Sequence, residues 1–152
     1  MLLEGQNMET KLPGWTEGVQ NTLKKCDATM PDPYSWHAID NEGLVIFITE
    51  ADHINKNSSI VKLKDKYIQR NIDPSAKDWG ATTIRHATEV FVAAKHAFTN
   101  DKPVRALLTR NSRYSETLNK PIKAMLLPWK YKVTEFSGDS IETGFSYRLE
   151  QI

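Results

Sequence analysis

Apolar residues recur along this chain with two periods, and the two periods divide it into elements. Ile84, Ala87, Phe91, Ala94 and Phe98 fall on one stripe at helical spacing. This predicts a long helix over residues 82–100, with Thr82 or Thr83 capping its first turn and Asn100 followed by Pro103 ending it. Trp15, Val19, Leu23 and Cys26 recur at spacings of four, four and three, which predicts a short amphipathic helix. Pro31 and Pro33 follow and remove the backbone donors a helix would need.

Strand patterns fill much of the rest. Residues 34–39 read as a strand, Asn41-Glu42-Gly43 as a turn, and Leu44 to Ile48 as a strand apolar on both faces, which belongs in the middle of a sheet. Residues 104–109 and 122–136 read as two further strands. Phe145, Tyr147 and Leu149 alternate with Ser146, Arg148 and Glu150, so that strand has one buried and one wet face, with Gly138 and Gly144 marking the turn before it. Between residues 50 and 75 the pattern lapses into a polar loop and then a Lys-rich segment, 61–72, that reads equally as strand or helix.

No strand–helix unit repeats in the manner of a doubly wound parallel sheet. The expected fold is therefore α+β, a mostly antiparallel, curved, barrel-like sheet of about five strands packed against one long and one short helix. The 152 residues suit one domain, expected over 14–152 behind a flexible N-terminal arm, 1–13. The longest apolar run is too short to span a bilayer, and the start lacks the basic and apolar regions of a secretory signal. A lone cysteine, Cys26, excludes an internal disulfide framework and favours a reducing compartment, so a soluble, cytoplasmic protein is expected.

Charge changes the picture. The net charge of +1 conceals segments of opposite sign: residues 1–54 carry 3 basic and 9 acidic side chains, and residues 102–133 carry 8 basic and 1 acidic. If the fold keeps these segments apart, one face attracts phosphate and another repels it. In the basic segment Arg105, Arg110, Arg113, Lys120, Lys123 and Lys130 are interleaved with Tyr114, Trp129 and Tyr131, the composition of a polyanion-binding surface. Period two assigns Trp129 and Tyr131 to the core with Met125, Leu127 and Val133. The loop from Arg110 to Lys120 is free of core duty, so Arg113 and Tyr114 become the candidate base-reading pair. The start of the long helix adds Lys77 and Arg85 beside unpaired amides, a place for a phosphate.

Other chemistry is poorly supported. His86 and His96 are ten residues apart on the helix, not at ligand spacing, and His37 and His53 stand alone, so no metal site and no cofactor is expected. Cys26 lies on an apolar stripe and reads as a buried thiol. Glu50 and Asp52 at the end of the central strand, with His53 beside them, form the best acid–base cluster that the sequence offers.

Pro103-Val104-Arg105, Leu126-Leu127-Pro128-Trp129, Val133-Thr134, Gly144-Phe145 and Leu149 resemble the C-terminal strands of small accessory domains of prokaryotic restriction and phage-defence proteins. The resemblance covers about a third of the chain, and it implies a module that reads DNA, sometimes modified DNA, without catalysing a reaction. The functional expectation is thus a nucleic-acid-binding module, with DNA as partner in preference to RNA, no membrane partner, and a protein partner or a homo-oligomer as further options. Two alternatives stand beside it: a protein-interaction module with bipolar charge, and a small acid–base enzyme using Glu50, Asp52 and His53.

Overall fold

One strand organises the structure. The computed structural model describes residues 14–32, 35–50, 67–74, 79–110 and 122–152. In chain order the elements are β1 (Thr16–Glu17), α1 (Val19–Lys24), β2 (His37–Ile39), β3 (Val45–Glu50), β4 (Tyr67–Ile72), α2 (Ala81–Asn100), β5 (Pro103–Arg110), β6 (Lys123–Leu126), β7 (Tyr131–Ser140) and β8 (Gly144–Gln151). Strand β5 is the hub. One of its edges pairs in parallel with β3, and the other pairs with β7 at Pro103 and Val104 and with β6 from Leu107 to Arg110. The path β1-β6-β5-β7-β8-β4 is antiparallel, with β2 and β3 branching from β5.

The α+β class and the mostly antiparallel sheet agree with the sequence, as does the pair of helices. The strand count does not: there are eight strands, and among the described residues the sheet does not close into a barrel. Three differences account for the count. The segment expected as one strand over 122–136 is two, because Pro128 has no N–H to continue the ladder after Leu127 donates to Ala106 O at 3.0 Å. The ambiguous Lys-rich stretch contains β4. Thr16 and Glu17, expected in the first helix, form β1 on the edge of β6.

The first helix is accordingly shorter than its apolar spacing suggested. Gly18 takes φ 85°, outside helical space, and α1 starts only after it. Leu23 is buried, with Val19 and Cys26 packed beside it against Ala38, Ile46, Leu107, Ala124 and Leu126. That is the smaller of two apolar clusters, on one face of the sheet. The larger lies on the other face, where Phe47, Ala106, Leu108, Met125, Tyr131, Phe145, Tyr147 and Leu149 meet α2. Ile46 and Phe47 are both inaccessible and belong to opposite clusters, as expected for a central strand apolar on both sides.

Helix α2 is rotated from its predicted phase. Its buried residues are His86, Ala87, Val90, Ala94 and Ala97, while Ile84 and Phe98 are exposed. Three alanines at the interface let the helix lie close to the sheet. Phe91 lies on the flank of that interface, meeting Phe136 and Phe145 edge-to-face at 5.5 and 5.2 Å. The predicted threonine cap is also absent: Gly80 is the N-cap, without a side-chain bond. At the far end Asp101 adopts the left-handed conformation, and Lys102 N donates to Ala97 O at 3.0 Å, closing the last turn.

The hairpin between β2 and β3 rests on Asp40. Its buried carboxylate accepts from the amides of Glu42 and Leu44, both at 2.9 Å, and Gly43 supplies the positive φ of the turn. The pairing of β7 with β8 is irregular, its register shifting between Val133 and Glu135 and again between Ser137 and Ser140.

Candidate nucleic-acid interface

Arg110 ends β5 opposite Lys123 of β6, and Lys123 is in turn opposite Glu17 of β1. Alternation puts these three side chains on one face at one end of the sheet. There the Arg110 guanidinium lies over the Trp15 ring, 4.4 Å from its centroid, and Lys123 Nζ is 4.0 Å from Glu17 Oε2. In sequence, residues 111–121 connect the end of β5 to the start of β6. Arg113, Tyr114 and Lys120 fall in that segment and, like Lys77, lie outside the described residues.

The remaining predicted cations are elsewhere. Arg105 is five residues from Arg110 on the same strand, roughly 17 Å away and on the opposite face. Its guanidinium is 22% exposed, 3.7 Å from Asp40 and within 3.4 Å of Leu127 O. Lys130 Nζ reaches Glu42 at 3.5 Å, and Arg85, on the first turns of α2, pairs with Asp32 at 2.8 Å. The structure therefore brings Arg110 and Lys123 together, and separately Arg105 and Lys130 beside the β2–β3 hairpin, with Arg85 apart from both.

This arrangement bears on the charge pattern. The acidic first third of the chain folds onto the basic middle: Glu17 meets Lys123, Asp40 meets Arg105, Glu42 meets Lys130 and Asp32 meets Arg85. Segregation of charge along the sequence becomes pairing in space. Of the five predicted cations that are described, Arg110 alone has an aromatic partner in place of a carboxylate.

A second group of polar residues gathers where α2 crosses β2, and the sequence signalled it only as isolated histidines. His86 is buried between two carboxylates, Nδ1 3.3 Å from Glu89 and Nε2 3.6 Å from Asp32. His37 is buried beside it, its Nδ1 without a hydrogen-bond partner among the described residues. Burial pushes the His37 pKa down from its ordinary value, opposed by the Glu89 charge and assisted by His86. A neutral imidazole is thereby favoured in the fold. Above pH 6.5 the ring is neutral folded or unfolded and its burial is unpenalised, whereas below that pH the unfolded chain takes up a proton that the folded one resists. The melting temperature should therefore fall between pH 7 and pH 5, and His37→Asn should flatten that fall in a calorimetric pH series.

Next to this cluster Trp36 and Trp79 meet edge-to-face at 5.8 Å, and Arg70 lies 5.8 Å over Trp36 while donating to Ile48 O at 3.1 Å. Trp15 and Trp36 were the residues the sequence undervalued. The spacing of Trp15 matches a helix stripe, whereas Gly14 and Gly18 on either side of it, both at positive φ, mark a break.

Glu50 closes β3, and Asp52 and His53 of the acid–base cluster lie outside the described residues. Among the described residues no group of three or more His, Cys, Asp or Glu could hold a metal ion, and no helix is long and apolar enough to cross a membrane.

No family model matches the sequence, and none of the curated proteins matches it. The likeness to prokaryotic restriction and defence domains thus has no counterpart there. Among solved structures the chain is similar to KRYPTONITE, crystallised in complex with mCHH DNA, an H3(1-15) peptide and SAH. The match has 12% identity and a TM-score of 0.42, and it covers 91% of this chain. The chain spans only 26% of the length of that protein, and a likeness this slight carries no functional argument.

Proposed function

We propose that this domain binds nucleic acid, DNA in preference to RNA, at the end of the sheet where β1, β5 and β6 meet. The observation that supports this reading is the exposed Arg110 guanidinium held over Trp15, with Lys123 alongside, where the segment carrying Arg113, Tyr114 and Lys120 joins the sheet. Stacking on an indole fixes a guanidinium while leaving its N–H fork free for a phosphate or a base edge. Arg113 and Tyr114 take the base-reading part, by hydrogen bonding and stacking, and a modified base falls within what such a pair could read. Lys120 and Lys123 contact phosphates at this end, and the more distant Lys130 and Arg85, together with Lys77, meet the backbone of a nucleic acid that extends past it. Arg105, held by the buried Asp40, contributes charge from the other face while anchoring the hairpin. The reading rests on this site and not on the likeness to KRYPTONITE.

Binding isotherms at two salt concentrations, with duplex and single-stranded DNA and with RNA of the same sequence, test it. Arg110→Ala and Trp15→Ala should each weaken the preferred nucleic acid by about tenfold, in line with the loss of one stacked, charged contact. Lys24→Ala, a surface lysine at the end of α1, should change it by less than about twofold. Wild-type protein without salt-sensitive binding to any of these would overturn the proposal and return the protein-interaction reading.

A further inference from the structure

Two solvent-accessible ion pairs link the acidic first third of the chain to lysines assigned above to phosphate contact. Glu42 and Lys130 are 3.5 Å apart with both side chains more than half exposed, and Glu17 and Lys123 are 4.0 Å apart. Neither pair is a by-product of local sequence, since the partners of the first are 88 positions apart. Nor do such pairs hold a fold together: exposed pairs shift a folding equilibrium by roughly onefold to fivefold. Not every acid is matched in this way. Asp139 and Glu142, in and beside the β7–β8 turn, are exposed and make no ion pair among the described residues.

We propose that Glu17 and Glu42 are intramolecular competitors of the nucleic-acid backbone, an inference that rests on the reading given above. Each carboxylate occupies the ammonium group that a phosphate oxygen would take. A phosphate arriving at Lys130 must displace Glu42 or lie beside it as a second anion. A lysine already paired with a carboxylate neutralises a phosphate less completely, so fewer of the cations condensed on the nucleic acid are released, and that release drives sequence-independent binding. The competition is mild because the pairs are solvated and cheap to open. It suppresses contacts that offer phosphates alone and spares those in which Arg110 and its neighbours gain base contacts as well. Asp40 and Asp32 act differently: the first is buried under backbone amides, and the second is shared between Arg85 and His86.

The test compares two double variants with the same change in net charge: Glu17→Gln with Glu42→Gln, and Asp139→Asn with Glu142→Gln. Affinity for a short mixed-sequence duplex and for the matching single strand is measured from about 50 to 200 mM salt, the range over which phosphate contacts dominate. The first variant should bind about tenfold more tightly than wild type at the low-salt end, with a steeper salt dependence, and the second within about twofold of wild type. Lys130→Ala should cost threefold or more in the Glu42→Gln background and little in wild type. Equal gains in the two double variants, with wild type still binding, would overturn the competition and leave the nucleic-acid reading standing. Absence of binding by wild type and both variants would remove that reading and the inference together.

Discussion

Replacing Phe47 by alanine should cost roughly 3–5 kcal/mol of stability, the range for removing a buried aromatic ring, and lower the melting temperature by on the order of 10 °C. The ring is wholly inaccessible, lies 5.1 Å from Tyr147, and belongs to the strand that pairs with both β2 and β5. Strands on either side are bound by backbone hydrogen bonds, so the site cannot collapse around the cavity and the full penalty is felt. Thermal and urea unfolding of Phe47→Ala measure it directly. A loss below about 1 kcal/mol would mean that the larger cluster tolerates a void of a phenyl group, contrary to the usual behaviour of close-packed interiors.

Gly138→Ala should be nearly as damaging, for a reason that has nothing to do with lost contacts. Gly138 sits within the irregular part of β7 at φ 124°, and a Cβ there would stand 2.6 Å from Gly144 O and 2.7 Å from Phe145 Cβ. Backbone in this region is available to glycine almost alone, and the obstructing atoms are backbone and the root of a core side chain. Together the strain and the overlap amount to roughly 2–5 kcal/mol. Unfolding of Gly138→Ala against the nearby surface change Asp139→Asn is the appropriate comparison. A wild-type melting temperature for Gly138→Ala would show that β7 can shed its irregularity and still pair with β8.

These two sites show what the sequence could and could not convey. The apolar run around Phe47 announced a central strand, because only burial on both faces explains Ile46 and Phe47 side by side. Gly138 announced a turn, yet it lies in a strand. A glycine reports that the backbone is unusual or crowded and does not say which. The phase of α2 was misread for a related reason: its large residues, Ile84, Phe91 and Phe98, drew the stripe toward themselves, whereas alanines face the sheet, where space is short. Pairing of the acidic and basic segments lay beyond the sequence altogether. Charge counts say which residues could pair, but Glu42 finds Lys130 only because the β2–β3 hairpin lies beside the link from β6 to β7. Arg110 was legible as a candidate, and its support was not, since Trp15 comes to it from the far end of the chain.

The parallel pairing of β3 with β5 has a consequence for how the chain acquires its structure. Ile46 must find Arg105, about sixty residues later, before either strand has both its neighbours. A hairpin of β2 and β3 can form early, but it carries an open apolar edge until β5 arrives, and long-range closure of this kind slows folding and prolongs exposure. During synthesis that edge waits for α2 to be made as well. The period of waiting is when the chain is most exposed to association with other chains, so expression at lower temperature should favour the folded protein over aggregates even with no change in the final stability.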